Sequence, residues 1–186
     1  MAQVVAIGKV HEMVWAFRGL YGGMWPTPGR MDALRFAFCE SAEAMDAWLR
    51  GQPQYSRNRL KELDVLDELA DTAIMLVTAL GYENLGDGLV EREPVDLDAI
   101  CGEVAFVHRC WRKGFGEALV QRSIRLVVAA IALYPGMELE ERVAQRLERI
   151  RRRVTAQAVL PMATTGPGPG AEMTEYLAGY VTELEG

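Results

Sequence analysis

Four carboxylates stand out by their spacing: Glu40-Ser-Ala-Glu43 and Glu68-Leu-Ala-Asp71. Residues three apart on a helix are surface neighbours, so each motif projects two acids from one helical face. Two helices that present acids to one another need positive charge between them. With oxygen-only donors and no histidine nearby, the ion that suits them is a hard one, Mg²⁺ or Mn²⁺. The alternative is a solvated acidic face, which is what acidic runs usually are. Three features weigh against it. The face that carries Glu40 and Glu43 also carries Phe36, Cys39, Ala44 and Ala47, and offers only Arg50 beyond the pair. Asp64, Asp67, Glu68 and Asp71 stack in one arc with Lys61 as the only base near it, although like charges at these spacings repel. Met75 continues that arc, so this face too turns apolar.

Other site chemistries are excluded by type and spacing. A carboxylate-bridged di-iron bundle needs Glu-x-x-His on two helices, and neither His11 nor His108 follows a glutamate by three. Zinc hydrolase motifs, a glycine-rich phosphate loop and a GxSxG elbow are absent.

The elements that must position the acids read as helices. The first spans about Gln3 to Leu20 and stops in the glycine- and proline-rich turn Tyr21–Gly29. The second spans about Met31 to Arg50, with an apolar stripe of Met31, Leu34, Phe38, Met45 and Leu49 that would lie opposite Glu40 and Glu43. The third runs from about Leu60 to Leu80, closed by Gly81, and Asp96 or Asp98 is a plausible N-cap for a fourth over about Leu97 to Lys113. The fifth covers about Glu117 to Tyr134. The sixth covers about Glu138 to Val154, with acids at its start and Arg149, Arg151, Arg152 and Arg153 at its end, as the helix dipole favours. That arginine cluster reads as a solvated helix end. No segment reads as a strand, and the expected fold class is all-α, a bundle of about six helices built around the hairpin of the two acidic motifs.

At 186 residues the chain suits one domain with an appendage. Residues 1–160 read as that domain, 161–170 as a linker and 171–186 as an amphipathic arm. A net charge of −6 disfavours a general nucleic-acid binder. Cys39, Cys101 and Cys110 form no CxxC pair, which fits a reducing compartment. No apolar run reaches membrane-spanning length and no signal peptide is evident, so a cytoplasmic location is expected.

Glu40-x-x-Glu43 followed by Glu68-x-x-Asp71 resembles the ExxE…ExxD signature of the all-α nucleoside triphosphate pyrophosphohydrolases, the MazG-like and dimeric dUTPase-like enzymes. Phe36–Glu43 and Leu66–Ile74 are similar to that family's two metal helices. Val10–Phe17 looks like the helix before them, and Phe106–Lys113 like the downstream helix that reaches the phosphates. The likeness covers roughly residues 8–113. It implies Mg²⁺-dependent cleavage of a nucleoside triphosphate to monophosphate and pyrophosphate, with Glu40, Glu43, Glu68 and Asp71 as metal ligands. Glu40 would orient the attacking water, and Arg109 and Lys113 would meet the phosphates. The sequence departs from the pattern in having no asparagine shortly before Lys113, and Cys39 where some members carry a further carboxylate. Trp15, Trp25 and Trp111 are either core residues or base-stacking platforms.

Residues 117–153 look like a second such hairpin that kept its packing and lost its ligands, Val120 and Ser123 standing at the acidic positions; they read equally as two further bundle helices. One acidic hairpin cannot enclose its own ligands. This later pair must cover it in cis, or a second copy must do so, and a homodimer is expected. The reading from another class is a non-catalytic helical scaffold descended from such an enzyme.

Overall fold

Val4 and Val5, both β-branched, lie at the centre of a short N-terminal strand. The computed structural model describes residues 1–51, 64–82 and 88–159. In it, β1 (Gln3–Ala6) pairs antiparallel with β2 (Leu89–Arg92), in a register that sets Val4 opposite Glu91 and Val5 opposite Val90. This ribbon corrects two expectations, that the chain holds no strand and that the first helix starts at Gln3. The helix, α1, spans Gly8–Tyr21. Where ribbon meets helix, the Ile7 amide donates to the Gly88 carbonyl at 2.5 Å. Gly88 has a φ of +55°, and a Cβ there would stand 2.4 Å from the Gly8 nitrogen, so the crossing requires glycine.

Helices make up nearly everything else. They are α2 (Arg30–Gly51), α3 (Val65–Leu80), α4 (Leu97–Arg112), α5 (Glu117–Ala132) and α6 (Leu139–Val159). The fold is the expected all-α bundle with a small ribbon added. α3 is its axis, packed against α1, α2 and α5. From Asp67 to Leu80 every α3 residue except Asp71 and Met75 is buried, as a helix surrounded by others requires. Its first turn is capped by Asp64, which accepts from the Leu66 amide at 2.9 Å. Asp96 caps α4 likewise, accepting from the Ala99 amide at 2.8 Å.

The face of α2 differs from the expected stripe. Ala33, Leu34, Ala37, Ser41, Ala44 and Ala47 are buried, whereas Phe38 and Leu49 are exposed. Small side chains let the α2 backbone lie close against α3, and large apolar residues have no room between the two helices. Glu40 is therefore not opposite the buried face. Its helical neighbours Ala37 and Ala44 are both buried, and Glu40 itself is half-buried.

The α6 helix lays Leu139, Val143, Leu147 and Val154 into the core at helical spacing. Residues Met1–Val154 form one compact unit. The expected linker and arm, 161–170 and 171–186, lie outside the described residues. No helix among the described residues is long and apolar enough to cross a membrane.

Candidate metal centre

Close packing of α2 on α3 brings carboxylates from both motifs together. Glu40, Glu68 and Asp71 each offer an oxygen, and these atoms lie within 4.8 Å of one another. Glu68 is buried, and Glu40 and Asp71 are half-buried. Glu43 stands one turn further along α2, half-buried, outside this tightest group but near enough for its charge to act on both glutamates.

Burial and mutual repulsion hold protons on the site. Loss of solvent is the largest cause that pushes the Glu40 carboxyl well above its ordinary range, followed by the charges of Asp71, Glu43 and Glu68. Glu68 is pushed up for the same first reason, then by Asp71 and Glu43, while Arg146 opposes the rise. The two share a hydrogen bond that favours the proton on Glu40 and the charge on Glu68. Buried, oxygen-only carboxylates that repel one another suit a hard divalent cation. The Mg²⁺ or Mn²⁺ site inferred from spacing thus fits the residues present.

A cation is already close by, from a helix the sequence reading did not connect to the acids. Arg146 of α6 grips Asp71 with two prongs. Its Nε donates to Oδ1 at 2.9 Å, and its Nη2 makes a very short contact with Oδ2. Arg142 donates to Asp64 at 3.0 Å and to Asp67 at 3.2 Å, and Arg149 donates to Asp67 at 2.6 Å. Three aspartates of α3 thus meet three arginines of α6. This corrects the expectation that Lys61 is the only base near the acidic arc, and the reading of Arg149 as part of a solvated helix end. Arg151 and Arg152 pair with Glu148, and Arg151 also meets the Tyr21 hydroxyl of α1. The phasing held the missed signal. Arg142, Arg146 and Arg149 recur at four and three residues beside the Leu139, Val143 and Leu147 stripe, matching Asp64, Asp67 and Asp71.

The α3 acids divide accordingly. Asp64 and Asp67 are tied to α6, Glu68 faces Glu40, and Asp71 belongs to both sets.

Arg109 and Lys113, the expected phosphate-binding residues, stand at the end of α4. Trp111 lies beneath the Arg30 guanidinium, 5.2 Å from it, and His108 stacks on Phe38 at 5.9 Å, so the end of α4 lies beside the start of α2. Lys113 is the exposed C-cap of α4. Arg109 is exposed one turn before it. Trp15, Trp25 and Trp111 are each partly buried against the core, with Trp25 also under the Arg18 guanidinium at 4.3 Å. Within the later hairpin, Val120 is a core residue, and what 117–153 brings to the site is the charge of α6.

No family model, no curated protein and no solved structure matches the chain.

Proposed function

We propose that the protein is a Mg²⁺-dependent pyrophosphohydrolase of nucleoside triphosphates, cleaving between the α- and β-phosphates. The observation that carries this reading is the convergence of Glu40, Glu68 and Asp71 from the two helices of an ExxE/ExxD hairpin. Those three, with Glu43, would hold Mg²⁺, or Mn²⁺ in its place. When bound, the ion supplies neutralisation of phosphate oxygens and acidifies water. The chain's part is positioning and proton control. Once a bound ion has displaced its own proton, Glu40 would orient a water and take that water's proton. Glu68 accepts the hydrogen bond that aligns Glu40. Arg109 and Lys113 are the proposed contacts for the far phosphates. A homodimer is retained as a proposal, although α4, α5 and α6 already pack about the acidic hairpin in cis.

A panel of nucleoside triphosphates assayed for pyrophosphate release with Mg²⁺ tests the activity and reads out the preferred base. Turnover should fall by at least about a hundredfold in Glu43→Gln and in Asp71→Asn. Near wild-type release from either variant removes the site assignment.

The second reading, a non-catalytic scaffold, is favoured by one observation: Asp71 already has a protein cation as partner. Melting temperature distinguishes the two. Glu40 and Glu68 lie above the ordinary value of 4.5, so the folded, metal-free protein keeps protons that the unfolded chain releases. Stability is then highest near or below that ordinary value and falls as pH rises through the raised ones, by up to about 1.4 kcal/mol per pH unit for each retained proton. A divalent ion displaces those protons and binds only the folded state. In chelator the melting temperature should decline from about pH 5 to about pH 9, and millimolar Mg²⁺ should restore it most at the alkaline end. A scaffold predicts no greater response to Mg²⁺ than to sodium chloride of equal ionic strength.

A further inference from the structure

The grip of Arg146 on Asp71 occupies both oxygens of one proposed metal ligand. Arg146 is mostly buried, with 18% of its side chain exposed, and sits on a helix fixed by its own apolar stripe. The guanidinium also has a second acceptor within reach, since its Nη1 stands 3.5 Å from Oδ2 of Asp67. Asp67 is one helical turn from Asp71 on α3, lies outside the Glu40–Glu68–Asp71 group, and is held in place by Arg142 and Arg149. A small rotation of the Arg146 side chain would therefore exchange one carboxylate for the other without leaving its charge unpaired in a buried setting.

We propose that Arg146 is a built-in counter-ion that competes with the divalent cation for Asp71, and that loading of the site moves it from Asp71 to Asp67. The inference rests on the metal-site reading above and adds its regulation. While Arg146 holds Asp71, an incoming cation must share that carboxylate with the guanidinium. An incoming ion must break a two-pronged, charge-assisted contact, so the wild-type protein binds metal more weakly than its carboxylates alone would. A purely structural role predicts the opposite sign. If Arg146 orients Asp71 for the ion, its loss weakens binding.

Mn²⁺ titration of the full chain, followed by the electron paramagnetic resonance signal of free Mn²⁺, separates these. Arg146→Gln should tighten Mn²⁺ binding about tenfold, the size of one charged hydrogen-bond contact removed. Arg149→Gln, which alters a partner of Asp67 only, should stay within about twofold. Arg146→Lys keeps the charge and loses the fork, so it should fall between wild type and Arg146→Gln. It also serves if Arg146→Gln does not fold, because any gain in affinity then supports competition. Equal or weaker Mn²⁺ binding by the Arg146 variants, with wild type binding normally, overturns the inference and leaves the metal site standing. If neither wild type nor variants bind Mn²⁺, the metal-site reading fails and the inference with it.

Discussion

Glu40→Gln is expected to raise the stability of the metal-free protein while eliminating Mg²⁺-dependent turnover. The two effects share one cause. Glu40 is half-buried beside Glu68 and Asp71, and burial plus three like charges push its carboxyl up. Above the ordinary value of 4.5, folding must hold either a retained proton or a buried repelling charge at this position. Glutamine removes that cost, keeps the shape and retains a donor for the Glu68 carboxylate. At about pH 8 the gain should be of order 2 kcal/mol, or roughly 4–8 °C in a chain of this size. It should shrink toward zero as pH falls to the ordinary value of 4.5, where glutamate in the unfolded chain is itself half protonated. Turnover should drop by about a thousandfold or more, because the amide cannot accept the proton of a water and is a weak ligand for a hard ion. Thermal melts across pH in chelator, with pyrophosphate release on the same preparations, check both. Loss of activity without the stability gain would mean that the carboxylates are less crowded than their 4.8 Å grouping implies. Such opposed effects are characteristic of groups kept for function at the expense of stability.

Helix positions were legible in the sequence because they depend on local periodicity and caps. Asp96 and Gly81 both mark real ends. The acidic hairpin was legible for the same reason, since i,i+3 spacing acts within one helix. What failed was long-range. β1 pairs with residues some ninety positions away, and Gln-Val-Val-Ala is too short to declare itself as a strand before β2 is known. The buried face of α2 was misread because size was taken for burial. Phe38 and Leu49 are larger than Ala37 and Ala44, yet close approach to α3 selects the alanines. That error also moved Glu40 to the wrong side of its helix.

The arginines of α6 were hidden differently. Arg149 satisfies a local rule, cations toward the C-terminal part of a helix, that explains it without a partner. Arg142 and Arg146 stand in the first half of α6, where that rule says nothing. Only the tertiary fold shows that the same residues face Asp64, Asp67 and Asp71. A local explanation that is sufficient can still be incomplete when the residue also borders an apolar stripe, because its stem is then drawn inward along that surface.

Asp67 is where that tertiary charge matters most, and Asp67→Ala is expected to be the most destabilising substitution among the ladder residues. Its side chain is only 10% exposed and accepts from Arg142 at 3.2 Å and Arg149 at 2.6 Å, with Arg146 at 3.5 Å. Removing the carboxylate leaves three guanidinium groups facing one another with Asp64 and Asp71 alone to balance them. Breaking a buried pair from one side costs about 3–5 kcal/mol. Arg149 is about half exposed (51%), which places the expected loss near the lower end, about 3 kcal/mol. The melting temperature should fall by roughly 10 °C. Glu148→Ala removes an exposed, solvent-screened cluster with Arg151 and Arg152, and should leave the melting temperature close to that of wild type. Asp67 lies outside the Glu40–Glu68–Asp71 group, so the destabilised protein should still gain stability from Mg²⁺ at temperatures where it is folded. Chemical denaturation of the three proteins, with and without Mg²⁺, makes the comparison. If Asp67→Ala melts within a degree or two of wild type, the ladder is ornamental and α6 is held by Leu139, Val143 and Leu147 alone. If the Mg²⁺ response disappears as well, Asp67 is a ligand rather than the resting place for Arg146.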